Sequence, residues 1–423
     1  MTYVFEVNDC ALSLYRDAAV EYRAPAIAVV RPGEILFGDP ALRLSRTHPR
    51  ETNQHYFARL NADPLPHPVP RAGNHADLVY LHLQEIQSIV QQNPADVVLA
   101  VPGILSSDQL GVLLGIAQEC GLSIGGFVDS AVVAATTSAL PASVSHVDIH
   151  LQRACITRLE INAEVQRVGV EEVPECGFAD LLDGWVNVIA DRFVRDTRFD
   201  PLHAAETEQQ LYNQVYDWVM AADADRAEIG IEIDYRDHIR RVELPRSLLD
   251  DKAQQRFARL RDELPEQGHV VLSAHSARLP GLTQFLTNHG HAFTTLDSSA
   301  AAIGCMANMA HIRSAGGPLR LVSRLALSPT IAEAGQSAQT DAPQVSAADE
   351  FGRPTHTLAN ASAVAVGATN QPLPVSEGEA GVYLEPGAHL LLNGHPLTTP
   401  TRLNAGDEVC SGELRYLMIR VEP

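Results

Sequence analysis

The chain has 423 residues, of which 45% are hydrophobic and 20% charged, and its formal net charge is -21. That length admits about two to four domains, and the composition is that of a folded chain with buried cores rather than a disordered one. The negative charge argues against nucleic acid or an anionic membrane surface as partner, since both are held by clustered Lys and Arg. Lys252 is the single lysine; every other basic residue is arginine. The six cysteines form no Cys-x-x-Cys pair, and no His-Glu-x-x-His motif occurs, so no metal site is expected. The first residues lack the basic start and apolar block of a secretory leader. No apolar run approaches the roughly 20 residues that span a bilayer. A cytoplasmic protein without membrane insertion is expected.

In chain order, 3–7 (YVFEV) and 11–15 (ALSLY) read as a strand hairpin around Asn8-Asp9, and 26–30 (AIAVV) as a further strand before the turn Arg31-Pro32-Gly33-Glu34. Apolar residues at helical spacing over 77–91 predict a helix. An apolar strand, 96–103, ends in Pro-Gly. A helix over 106–120 follows, with Ser106 or Ser107 as its cap and Gly121 as its stop. Residues 129–140 read as another helix and 147–162 as a second strand hairpin. This alternation is an α/β order. Further on, helices are expected over 178–196 and 204–221, a strand pair over 227–244, and a helix over 245–262. Strand, turn and helix then fill 270–286, and 298–312 is a helix of small residues suited to close packing. Composition changes after 327. Residues 328–354 read as a flexible linker rich in Ala, Ser, Pro and Gln. Residues 355–423 read as a small all-β module, a β-sandwich, with turns at Asn393-Gly394 and at Asn404-Ala405-Gly406-Asp407.

Several stretches in correct order resemble the actin-like ATPase superfamily, most closely the ATPase domain of heat-shock chaperones. They are FEVNDCALSLY (5–15), RPGE followed by LFGDPA (31–41), VVLAVPG through FVDSAVVAA (97–135), IEIDYRDHIRRVELPRSLLD (231–250), VVLSAHSARLPGLTQFL (270–286) and AAAIGCMA (300–307). The resemblance covers roughly 1–315. It implies a two-lobed fold over 1–327, lobe I about 1–160 and lobe II about 161–315, with ATP and magnesium between the lobes in active members. There, two β-hairpins grip phosphates through backbone N–H groups, and glycines let the backbone approach.

This chain departs from that pattern at each grip. The first hairpin's Asp-x-Gly-Thr is replaced by Glu6-Val7-Asn8-Asp9, with Asn8 tolerating a left-handed backbone and Asp9 setting an acid against any polyphosphate. At ~4 Å and an effective dielectric near 20, that repulsion costs about 4 kcal/mol, which magnesium would offset in part. The second hairpin keeps Asp148 but has Ile149-His150-Leu151-Gln152 in place of three glycines, with Arg153 as a possible side-chain donor. The adenosine motif's Gly-Gly becomes Ala274-His275, while Ser276, Arg278 and Pro280-Gly281 remain. Arg278 is either the adenine-stacking arginine or a surface residue at a helix start. Ala58 stands where the family has a lysine, with Arg59 adjacent. Asp129 is either a water-positioning carboxylate or the N-cap of the next helix.

Loss at all these places together implies a pseudo-ATPase: a protein-binding scaffold or adaptor, with no cofactor expected. Two alternatives remain open. One is a slow magnesium-dependent ATPase, with Asp129 and Asp148 as catalytic carboxylates and Glu6, Asp9, Arg153, Ser276 and Arg278 contacting nucleotide. The other is an actin-like filament protein. The C-terminal stretch LLLNGHPLTTPTRLNAGDEV resembles the end of a forkhead-associated domain. The upstream residues that bind phosphothreonine in that family are not found here.

Overall fold

The computed structural model describes residues 2–221, 227–313 and 319–327, together with strand segments between 356 and 419. The fold is mixed α/β, and the chain divides into two compact units, 1–340 and 341–423.

The first unit is built on two six-stranded sheets with one connection pattern. In sheet I, Ala19–Ala24, Leu12–Arg16 and Tyr3–Glu6 form an antiparallel meander; Val97–Val101 and then Ile124–Asp129 add in parallel beside Tyr3–Glu6. In sheet II, Glu164–Pro174, Arg153–Ile161 and Ser143–Ile149 form the meander, and His269–Leu272 and Ala292–Thr295 add in parallel. The helices repeat as well. His75–Val90 precedes the first parallel strand of sheet I, Ser107–Glu119 joins the two parallel strands, and Ser130–Ala135 follows the second. Ser247–Arg261, Leu282–Asn288 and Ala300–Ala307 hold the same places around sheet II. The first unit is therefore an internal duplication.

Local chemistry explains many of the boundaries. All five residues of Val97–Val101 are buried, as expected of a parallel strand covered on both faces. Asn74 with Asp77, and Ser106 with Gln109, form capping boxes at their helix starts. Gly121, at φ +78°, ends the second of these helices. The helix expected over 129–140 is only Ser130–Ala135. Its end is set where the hydroxyls of Thr136 and Thr137 take the carbonyls of Val133 and Ala134 at 2.7 Å. The helix expected over 298–312 breaks at Asn308 into Ala300–Ala307 and Met309–Ile312.

Three cores hold the unit. One lies under the helices of sheet I and one under those of sheet II. A third joins the sheets through Val4, Val98, Val133, Val271, Ala302 and Cys305 among others. Within it, Ala300–Ala307 packs so closely on Ser130–Ala135 that a Cβ on Gly304 would lie 2.2 Å from the Val133 carbonyl oxygen. The segment 319–327 closes the outer edges: Leu321–Val322 adds beside Ile124–Asp129 in sheet I, and Arg324–Ala326 beside Glu164–Pro174 in sheet II.

The regular structure described in the second unit is all strand. One sheet runs 362–365, 356–359, 414–419, 408–411, 390–392, 395–396, and a second holds 375–378, 381–384 and 401–403. Leu373, Val382, Leu384, Val409, Tyr416 and Met418 are among its core residues. The linker read over 328–354 lies outside the described residues, as do the turns read at Asn393-Gly394 and at 404–407. Leu392 does sit opposite His395 across the first of those turns. No helix among the described residues is long and apolar enough to cross a membrane.

Candidate functional site

The tips of the two meander hairpins meet. The first tip is the loop between Glu6 and Leu12, and the second is the turn at His150-Leu151-Gln152-Arg153, closed by a 2.8 Å bond from His150 N to the Arg153 carbonyl. Asn8 does not adopt the left-handed backbone that its place suggested. Its side chain works instead: Oδ1 accepts the Cys10 N–H at 2.9 Å, and Nδ2 donates to Asp148 Oδ2 at 3.0 Å on the facing hairpin. Asp9 Oδ1 accepts the Leu151 N–H at 2.6 Å and lies 3.3 Å from His150 Nδ1. The His150 ring thus fills the space between two buried carboxylates, with Nε2 3.5 Å from Asp148 Oδ2 but out of hydrogen-bond alignment.

The electrostatics follow from that sandwich. Burial works against both carboxylates, yet the His150 hydrogen bond and charge hold Asp9 below its ordinary value, and the charges of His150 and His146 hold Asp148 below its own. Burial also opposes a charged His150, but the bond to Asp9 and the charge of Asp148 raise its pKa on balance. Asp148 accepts Ser273 Oγ as well, at 2.5 Å. Ser276 Oγ accepts the Ile149 N–H at 2.8 Å. The tip N–H groups of Val7, Cys10, Ala11, Ile149, His150 and Leu151 therefore all have acceptors within the protein.

The start of helix Phe178–Thr197 is occupied in the same way. Its first two N–H groups, on Phe178 and Ala179, bond to the carbonyls of His150 and Leu151 at 2.8 and 2.9 Å. Such donors otherwise attract anions. The approach needs glycine at 177, where a Cβ would lie 2.3 Å from the Gln152 carbonyl carbon.

Beside the joined tips lies a cleft of about 740 Å³, counting its open mouth, and residues of both sheets line it. Glu6, Asp148, Ser273 and Arg278 are on its wall. Burial, then the charge of Asp148, pushes Glu6 up to about 7, against the opposing Tyr15 hydroxyl. Tyr15 in turn accepts from Arg23 at 2.9 Å and donates to the Ser298 carbonyl at 2.8 Å. Arg278 is exposed at the cleft.

The structure brings Glu6, Asp9, Asp148, Ser276 and Arg278 to this one region and leaves two candidates elsewhere. Arg153 turns away from the cleft to Glu172, at 2.9 Å. Asp129 is fully buried as the N-cap of Ser130–Ala135: it accepts from Ala131 N and Val132 N through Oδ1 and pairs with Arg167 through Oδ2 at 2.7 Å. Burial raises its pKa in spite of Arg167. Sequence reasoning missed His146 and took His275 only for a replaced glycine; both line the cleft. Burial drives His275 down to about 4 and lowers His146. Strand alternation would have found His146, which sits two residues before Asp148 and so on the same face. Among the described residues no group of three or more His, Cys, Asp or Glu could hold a metal ion. No protein-family model matches the chain, and no curated protein matches it.

Proposed function

We propose that the chain is a degenerate member of the actin-like ATPase superfamily, related to the chaperone ATPase domain, and works as a protein-binding scaffold without ATP turnover. The duplicated order of meander and parallel strands supports the two-lobed reading, as do the facing hairpins at the ends of the central strands. One observation carries the loss of turnover: six tip N–H groups already have protein acceptors, with His150 wedged between Asp9 and Asp148. A phosphate would have to displace those bonds and the imidazole. Unmaking a buried polar pairing costs about 1–3 kcal/mol for each group left unsatisfied. The strands described in the second unit fit a docking module.

The cleft favours a second reading, a slow magnesium-dependent ATPase, because Glu6, Asp148, Ser273 and Arg278 still face open space. Isothermal titration with Mg-ATP separates the two. The scaffold reading expects no saturable heat; micromolar affinity overturns it.

A further inference from the structure

Strands Glu228–Tyr235 and His238–Pro245 form an antiparallel ribbon whose inner face, Ile229, Ile231, Ile233, Val242 and Leu244, is buried. A two-stranded ribbon has two edges, and here they are treated differently. One edge is sealed by helix Ala205–Met220. Gln214 donates to the Glu232 carbonyl at 2.6 Å and accepts the Glu232 N–H at 3.1 Å; Gln210 does the same for Asp234, both at 3.0 Å. Glutamines four apart on a helix are about 6 Å apart along its axis, close to the rise of two strand residues. The two amides therefore stand in for a neighbouring strand.

Those bonds also fix the phase of the ribbon. Glu232 and Asp234 turn their backbone groups outward, so the residues opposite them, Arg241 and Ile239, turn theirs outward on the other edge, and so does Glu243, opposite Gly230. The backbone groups of Ile239, Arg241 and Glu243 have no hydrogen-bond partner among the described residues. Among the described residues nothing comparable to the glutamine pair covers them. Ile239 is 71% exposed, more than any other large hydrophobic described. Open edges of this kind template pairing with another strand.

The geometry points to a second copy of this chain as the strand that completes this edge, paired antiparallel about a twofold axis at Val242. Only registers that pair outward residues with outward residues form ladder bonds. Centring on Arg241 sets two arginines against each other, which is unfavourable. Centring on Val242 places Arg241 opposite Glu243 twice, as two reciprocally bonded pairs, and lays Ile239 against Pro245. Pro245 has no N–H, so the ladder stops there. A contact of this symmetry closes on itself as a dimer and does not propagate into a filament. The inference does not depend on whether nucleotide binds.

Sedimentation equilibrium of the full chain, with charge reversals, tests it. Wild type is expected to self-associate reversibly in the micromolar range. Arg241→Glu and Glu243→Arg are each expected to weaken association roughly tenfold or more, since like charges then face each other twice. Mixing the two variants places opposite charges at both contacts and is expected to restore a heterodimer. Both positions are exposed, and thermal melts verify that each variant is folded. A wild type that stays monomeric overturns the proposal. So does association that the reversals leave unchanged, or a mixture of folded variants that fails to pair.

Discussion

His150 is the residue on which the hairpin contact turns. Asn8 and Asp9 reach across to the second hairpin, but both carboxylates need a cation between them, and the imidazole is the group that lies there. Replacing it with glutamine leaves two buried carboxylates facing each other and is expected to cost about 3 kcal/mol. The sign of the pH dependence follows from the raised pKa of His150. Its stabilisation is fully present below about 6.5, the ordinary value, and is lost as pH rises through the folded-state value. The gap in melting temperature between wild type and His150→Gln should therefore be widest near pH 6 and narrow on the alkaline side. The difference between the two proteins is the right measure, because Glu6, His146 and His275 titrate in both. A gap that widens with pH would remove the bridging role.

At the level of elements, the helix glycines show why composition alone did not fix the packing. Gly304 and Gly115 both sit in helices, yet their surroundings are opposite. A Cβ at 304 would meet the Val133 carbonyl, whereas a Cβ at 115 meets nothing within 4 Å. Gly304→Ala should destabilise by about 2 kcal/mol through overpacking, while Gly115→Ala should stabilise by about 0.5–1 kcal/mol. Chemical denaturation of the two variants checks both signs, and equal effects would refute the close-approach account. The small-residue stretch 300–307 was legible as a packing helix for this steric reason. The strand Glu164–Pro174 was not legible, although it is the longest among the described residues. Its sequence, EVQRVGVEEVP, is charged and keeps only Val165 and Val173 buried. Pairing with Arg153–Ile161 decides its conformation. Ala19–Ala24 was missed for the same reason, since only Ala24 among its residues is buried. The site divides along similar lines. Glu6, Asp9, Asp148 and Ser276 stood out by position, but the Tyr15–Arg23 contact and the His150 bridge arise only when distant segments meet.

For the first unit as a whole, the duplication raises the question of what fastens its two sheets together at their rims. Residues 319–327 span both. Leu321 and Val322 extend sheet I beside Phe127 and Val128, and Arg324, Leu325 and Ala326 extend sheet II beside Gln166, Val165 and Glu164. Leu325 is 2% exposed and belongs to the core shared by the sheets. Composition changes after 327, and the two rim strands are the last pairings described in the first unit. A chain ending at 327 keeps both rim strands, so its melting should match the first unit of the full protein. A chain ending at 313 strips both sheets of an edge strand and uncovers the pocket that Leu325 fills. Losing one buried leucine costs about 2–5 kcal/mol before the lost ladder bonds are counted. The shorter chain should therefore melt several degrees lower. Equal melting of the two truncations would mean that the segment rests on the sheets without holding them.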